Sequence, residues 1–167
     1  MNLRARLYKV YWALRSRIAP GLKYSQYVYE DVLKQYVTPQ TQWLDLGCGH
    51  SMLPKWRENE ERWLVKACRH VVGIDYDMES LKVHSTFRNR LRGDITTLPF
   101  KAESFDLTTA NMVVEHLDNP LDQFREINRC LKPKGLFLFH TPNARDCGIF
   151  LVKLIPEKLI KTIVLFL

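Results

Sequence analysis

The sequence has no pair of cysteines spaced for a metal or a redox disulfide. Cys48, Cys68, Cys130 and Cys147 are scattered, without a C-x-x-C pair or a histidine at ligand spacing, which argues against zinc and against a disulfide framework. A reduced, cytosolic setting is the expectation. The N-terminus lacks the continuous apolar stretch and small-residue cleavage site of a secretory signal. No run reaches the roughly 18 uninterrupted apolar residues that a spanning helix requires. Internal repeats and low-complexity tracts are also missing, and with 46% hydrophobic and 26% charged residues the chain has the balance of a folded globular domain.

Acidic residues are missing from the first 29 positions. Of the 25 lysines and arginines, Arg4, Arg6, Lys9, Arg15, Arg17 and Lys23 precede the first acid, Glu30, which leaves 19 basic against 18 acidic residues in the remainder. The net charge of +7 therefore belongs to an N-terminal arm, and nucleic acid is not an expected partner of the body. Leu3, Leu7, Val10, Tyr11, Leu14 and Ile18 fall on one face of a helix over residues 3–18. That helix would pack on the domain itself or, because basic residues flank its stripe, lie on a membrane surface. Pro20-Gly21 ends it.

The rest reads as strand, turn and helix in alternation. A helix is expected from about Ser25 to Tyr36, with Val28, Val32, Leu33 and Tyr36 on one face. Strands are expected at Trp43-Leu44-Asp45-Leu46, Val71-Val72-Gly73-Ile74, Phe105–Ala110 and Leu136–Thr141. Asn119-Pro120 reads as an N-cap and first helical residue, opening a helix to about Leu131. Such alternation implies an α/β, Rossmann-like, doubly wound parallel sheet of about five strands. The expected division is a helical arm or lid over 1–37, a core over 38–143 and an apolar helical tail over 144–167.

Ligands of open α/β sheets bind beyond the carboxyl ends of the strands. After the first strand stands Asp45-Leu46-Gly47-Cys48-Gly49, whose two glycines let backbone approach a ligand. A dinucleotide fingerprint needs Gly or Ala where Met52 stands, so S-adenosylmethionine (SAM), which has no pyrophosphate, fits better than NAD. Asp75 ends the second strand, where an acid accepts from ribose hydroxyls; a helix cap is the plainer alternative. Asp94 could accept from an adenine amine, with the Ile95 N–H meeting the ring, or could be a turn residue.

The segments WLDLGCGHS, VVGIDYD, RGDITTLPF, ESFDLTTANMVVEHLDNP and LKPKGLFLFHTPN resemble, in sequence and order, the motifs of class I SAM-dependent methyltransferases, especially the small-molecule type 11 branch, over residues 39–143. The resemblance implies that Asp45, Gly47, Cys48 and Gly49 line the methionine end, with Cys48 a small filler. It places Asp75 and Tyr76 at the ribose, Asp94 and Ile95 at the adenine, and Asn111 and Met112 at the wall by the sulfonium. For a hydroxyl acceptor His116 is the candidate base, because imidazole titrates near neutrality; its alternative is to shape the pocket at the start of a helix. Some ubiquinone-biosynthesis O-methyltransferases hold a divalent metal in this segment. Met112 occupies the place of their first Glu, so no metal is expected here.

Class I sheets normally carry seven strands, and Ala144–Leu167 is too short for a helix and two more. Ile149, Phe150, Leu151, Val152, Leu154 and Ile155 instead begin an apolar tail that a partner would cover. A fragment or a shortened protein with an exposed sheet edge is the expectation. The leading function is methyl transfer to a small-molecule or lipid-linked acceptor. The alternatives are a non-catalytic SAM-binding or interaction module and an NAD-dependent oxidoreductase.

Overall fold

The computed structural model describes residues 23–142 together with Arg17. The expected basic helix over 3–18, Arg17 apart, and the apolar tail lie outside the described residues. All elements below belong to one compact unit, Ser25–Thr141.

Helix α1 (Ser25–Tyr36) leads into strand β1 (Gln42–Leu46). A 3-10 turn at Lys55–Arg57 precedes α2 (Glu58–Ala67), β2 (His70–Asp75), α3 (Met78–Val83) and β3 (Arg90–Arg92). Then come β4 (Phe105–Asn111), a second 3-10 turn at Val114–His116, α4 (Pro120–Cys130) and β5 (Leu131–His140). The sheet order is β3-β2-β1-β4-β5, and every pairing is parallel. This is the Rossmann-like sheet that the alternation implied. The chain moves outward from β1 through β2 to β3, then crosses back to β4 on the other side. Strand order therefore reverses between β1 and β4, the point where such sheets bind ligands.

The strands read as apolar runs because both of their faces are covered. Tyr29, Leu33, Trp43, Leu64, Val71 and Leu107 form one layer of core, and Leu44, Leu46, Ile74, Phe105 and Ile127 the other. β5 starts five residues earlier than the sequence indicates and ends at His140. Leu131 pairs with Phe105, residues 132–135 loop out around Pro133, and regular pairing resumes with Leu136 opposite Leu107.

α1 has the expected bounds but presents a different face. Its buried residues are Gln26, Tyr29, Glu30 and Leu33, while Val28 and Tyr36 are nearly half exposed. Apolar periodicity fails because two polar residues are buried as a satisfied pair. Gln26 Nε2 donates to Glu30 Oε1 at 3.2 Å, and Arg57 Nε donates to Glu30 Oε2 at 2.8 Å. α4 begins at Pro120 as expected, but the Asn119 side chain does not cap it. That amide donates instead to Asp122 Oδ2 at 2.6 Å, while Gln123 Oε1 accepts from the Asn119 N–H at 3.2 Å.

A buried polar cluster ties the loop after β1 to the loop after α3. Glu61 Oε2 accepts from the Leu53 N–H at 2.9 Å, and Thr86 Oγ1 donates to Glu61 Oε1. His84 Nε2 lies 3.8 Å from that same oxygen and has no hydrogen-bond partner among the described residues. Burial, with Arg90 and His50 adding repulsion, lowers the His84 pKa to about 4. The unfolded chain thus takes up a proton near pH 6.5 that the native chain refuses until about pH 4. This contribution to stability is complete above pH 6.5 and falls away as the pH drops through that window. The stability advantage of wild type over His84→Gln is expected to shrink between pH 6.5 and pH 4. Urea titrations across this range check it, and a constant difference would contradict it.

Candidate active site

A cavity of about 720 Å³ opens at the carboxyl edge of the sheet, within the range of small-ligand sites. Gly47 contributes from the loop after β1, and Asp75, Tyr76 and Asp77 from the loop after β2. Asp94 and Ile95 follow β3, and Met112, Val113 and His116 follow β4. Four successive strand ends thus converge on one space.

The loop after β1 has the geometry that glycine permits. Gly47 and Gly49 have φ angles of 64° and 46°, in the left-handed region. The Gly47 N–H donates to the Ile74 carbonyl at 2.8 Å, and the Cys48 N–H to the same oxygen at 3.2 Å. A β-carbon on Gly47 would overlap one methyl of Val113 and lie 3.2 Å from the other. Gly47 therefore makes possible the close approach of the β1 and β4 loops at the reversal of strand order.

Asp75 is tied down by backbone. Its Oδ2 accepts from the Gly49 N–H and its Oδ1 from the Asp77 N–H, both at 2.8 Å. Each carboxylate oxygen retains a lone pair, and Asp75 lines the cavity, so the group can accept further hydrogen bonds from a ligand. The helix cap that competed with this reading is a different residue: Asp77 caps α3, accepting from the Glu79 N–H at 3.0 Å. Tyr76 is 80% exposed and stands beside Asp75 on the cavity wall. Asp94 Oδ1 accepts from the Thr96 N–H at 2.8 Å, and these hydrogen bonds to Thr96 hold its carboxyl below the usual range. Its turn role and its place on the wall coexist.

Asp45, Cys48, Gly49 and Asn111 do not line this cavity. Asp45 is buried and accepts from Thr109 Oγ1, which in turn accepts from Trp43 Nε1 at 2.6 Å. Burial raises the Asp45 pKa well above the carboxylate range; Thr109 opposes this, and the charges of Glu61 and Asp75 reinforce it. Its hydrogen bond with Thr109 ties β1 to β4. Cys48 is also buried, its thiol pushed up by burial and by Asp45 and Asp75, and it is therefore not a thiolate nucleophile. Asn111 spends its amide on the Met52 carbonyl at 2.9 Å.

Met112 is strained, with a φ of 60° that a non-glycine residue rarely adopts. Its N–H donates to the His140 carbonyl at 2.7 Å, which turns the chain sharply after β4 and brings Met112 and Val113 to the cavity. His116 is on the wall, but in a three-residue 3-10 turn rather than the start of a helix. Leu117 turns to an extended conformation with ψ at 119°, which ends the turn before an α-helix can form. Ser80, Leu117, Asp118 and Gln123 also line the cavity. Sequence reading missed these four. Only Asp118, in a polar loop after β4, carried any signal. No group of three His, Cys, Asp or Glu residues able to hold a metal occurs among the described residues.

Residues 44–139 match the protein family described as methyltransferase domain. The chain belongs to this family of class I SAM-dependent methyltransferases. A malonyl-[acyl-carrier protein] O-methyltransferase of Methylovorus sp. (strain MP688) is 34% identical over 116 residues, covering 59% of this chain and 36% of that protein. A ubiquinone biosynthesis O-methyltransferase of Colwellia psychrerythraea is 28% identical over 128 residues, covering 72% and 49%. The solved SAM-dependent methyltransferase of Mesorhizobium loti shares the fold, with a TM-score of 0.57 at 22% identity over 71% of this chain and 54% of that one. The chain spans less than half the length of these curated relatives. SAM is the family's cofactor, and the dinucleotide alternative falls. The cavity fits it: an anchored carboxylate with free lone pairs faces a left-handed glycine loop, and Met52, where a dinucleotide site needs Gly or Ala, is buried in the core. No helix among the described residues is long and apolar enough to cross a membrane.

Proposed function

We propose that this chain transfers the methyl group of SAM to a small-molecule or lipid-linked acceptor. The observation that carries the reading is the convergence of Gly47, Asp75, Asp94, Ile95 and Met112 on one cavity at the reversal of strand order. In this reading Asp75 accepts from the ribose hydroxyls, with Tyr76 beside it. Asp94 and the Ile95 N–H meet the adenine, and the Gly47–Gly49 loop cradles the methionine end. Asp45 and Cys48 support that loop from beneath, Asn111 supports Met112, and Met112 with His116 borders the acceptor.

Bound SAM supplies a methyl group activated by a positively charged sulfur. The chain's own part is alignment and exclusion of water, since displacement at carbon asks mainly for two groups held in line. The basic N-terminal arm would meet a lipid surface, and a partner would cover the apolar tail. An acceptor carried on lipid or on a carrier protein fits both, and the named O-methyltransferase relatives support transfer to oxygen.

Incubation of the 167-residue chain with methyl-labelled SAM and a cell extract, fractionated into lipids, small molecules and macromolecules, tests this. Label in an organic-soluble or small-molecule product is expected. SAM binding without transfer to any fraction would instead favour a non-catalytic binding module.

A further inference from the structure

At the carboxyl end of β5 a histidine that the cofactor does not need is held in a defined orientation. His140 Nδ1 lies 2.9 Å from Asn111 Oδ1, and its Nε2 lies 3.0 Å from Ser25 Oγ. The ring stacks on Tyr29, with centroids 5.7 Å apart. Asn111 leaves no ambiguity about which atom it turns to His140. Its amide nitrogen donates to the Met52 carbonyl at 2.9 Å and to Gln26 Oε1 at 3.4 Å, so the carbonyl oxygen faces the imidazole. The proton of a neutral His140 therefore sits on Nδ1, and the lone pair of Nε2 points at the Ser25 hydroxyl.

The Ser25 hydroxyl is the group that an acceptor hydroxyl would have to displace from Nε2. Ser25 is exposed, and the bond between Ser25 and His140 lies at the surface, whereas Asn111 is partly buried. The site adjoins the cofactor cavity through backbone: the His140 carbonyl accepts from Met112, which lines that cavity. Glu115 stands alongside, accepting from Thr141 Oγ1 at 3.0 Å. A lone pair with a fixed tautomer, backed by an amide and presented to a hydroxyl, has the geometry of a general base.

We infer that His140 is the general base of the transfer reaction and that the acceptor is a hydroxyl of the phenol class, oriented by Nε2 in the place of Ser25 Oγ. Asn111 is its positioning residue. This rests on the methyl-transfer reading above. In the step, an electron pair of the acceptor oxygen forms the bond to the methyl carbon. The carbon–sulfur bond breaks with its pair going to sulfur, which cancels the positive charge, and the acceptor proton passes to His140 Nε2. A carboxylate acceptor would need no base near neutrality, and an aliphatic alcohol is too weak an acid for imidazole to assist efficiently. A phenol, with a pKa near that of tyrosine, lies in the range where a neutral imidazole helps. The groups facing His140 are Tyr29 and Glu115. Burial lowers its pKa, with Glu115 working against that, which favours the form of the ring that can accept a proton.

Two measurements on the 167-residue chain test this. In the first, nitrogen NMR of histidine-labelled protein at pH 7 reads the tautomer without any acceptor. A neutral His140 protonated on Nδ1 is expected, with Asn111→Leu redistributing the proton between the two nitrogens. A charged ring, or a proton on Nε2 in the wild type, would overturn the inference. In the second, labelled SAM is supplied with catechol and 3,4-dihydroxybenzyl alcohol as phenols, and with a malonyl thioester as a carboxylate. Phenol methylation is expected to fall roughly 100-fold or more in His140→Gln at unchanged SAM affinity, with loss of the acidic limb of the pH profile. Methylation of the thioester but not of the phenols would leave the methyl-transfer reading intact and overturn this one. So would an unchanged His140→Gln, or an acidic limb that disappears in His116→Gln instead. Bound SAM with no transfer to any acceptor would defeat both.

Discussion

Replacing Asp75 by alanine is expected to weaken SAM binding by roughly 1.5–3 kcal/mol, a loss of about tenfold to more than a hundredfold in affinity, since hydrogen bonds to a charged group are worth that much. The carboxylate is held by the Gly49 and Asp77 N–H groups, so it arrives at the cavity already oriented. Truncation removes both the ligand contact and the anchor of the glycine loop. Asp75→Asn separates the two effects. An asparagine oxygen can still accept one of the backbone N–H bonds, but the uncharged group accepts more weakly from ribose. An intermediate loss is therefore expected. Calorimetry measures it, and equal affinity for wild type and both variants would remove Asp75 from the site.

Gly47→Ala is expected to do more damage, and to folding as well as to binding. The backbone at Gly47 sits at a φ of 64°, which costs a residue with a β-carbon about 1–2 kcal/mol. The new methyl would also collide with Val113, and overpacking of this kind costs roughly another 1–3 kcal/mol. The two add because they arise from different atoms. Denaturant titration is expected to show a loss of about 2–5 kcal/mol, much of the stability of an ordinary domain. Trimming the partner in Gly47→Ala/Val113→Ala should recover the steric part and leave the backbone part. If the double variant were no more stable than the single one, the close approach of the β1 and β4 loops would not be the reason for glycine.

Much of this architecture can be read from the chain because local and global preferences agree. Apolar runs bounded by turn residues became buried parallel strands, and Asn119-Pro120 opened a helix at the expected place. The buried face of α1 was not legible. Gln26 and Glu30 owe their burial to Arg57, 27 residues beyond Glu30, and no window of sequence contains that partnership. The early start of β5 was hidden for a similar reason. Lys132-Pro133-Lys134-Gly135 forms an irregularity inside β5, and Leu131 on its far side still pairs with Phe105.

For the site, the sequence placed residues at strand ends but not on one side or the other of the wall. Gly47, Asp75, Tyr76, Asp94, Ile95, Met112 and His116 reach the cavity. Asp45 and Asn111 differ from them in where their side chains point, one into the sheet toward Thr109 and the other across to Met52 and His140. Asp45 lies inside β1 and keeps the strand's alternation, whereas Asn111 ends β4, where the direction depends on tertiary contacts. The link from Ser25 through His140 to Asn111 spans 115 residues and is a product of the fold alone.

The central claim is that the cavity between Gly47, Asp75 and Asp94 holds SAM. Calorimetric titration of the 167-residue chain with SAM and, separately, with NAD tests it most directly. Saturable binding of one SAM per chain, with no heat from NAD, is the predicted result; binding of NAD without binding of SAM would contradict it.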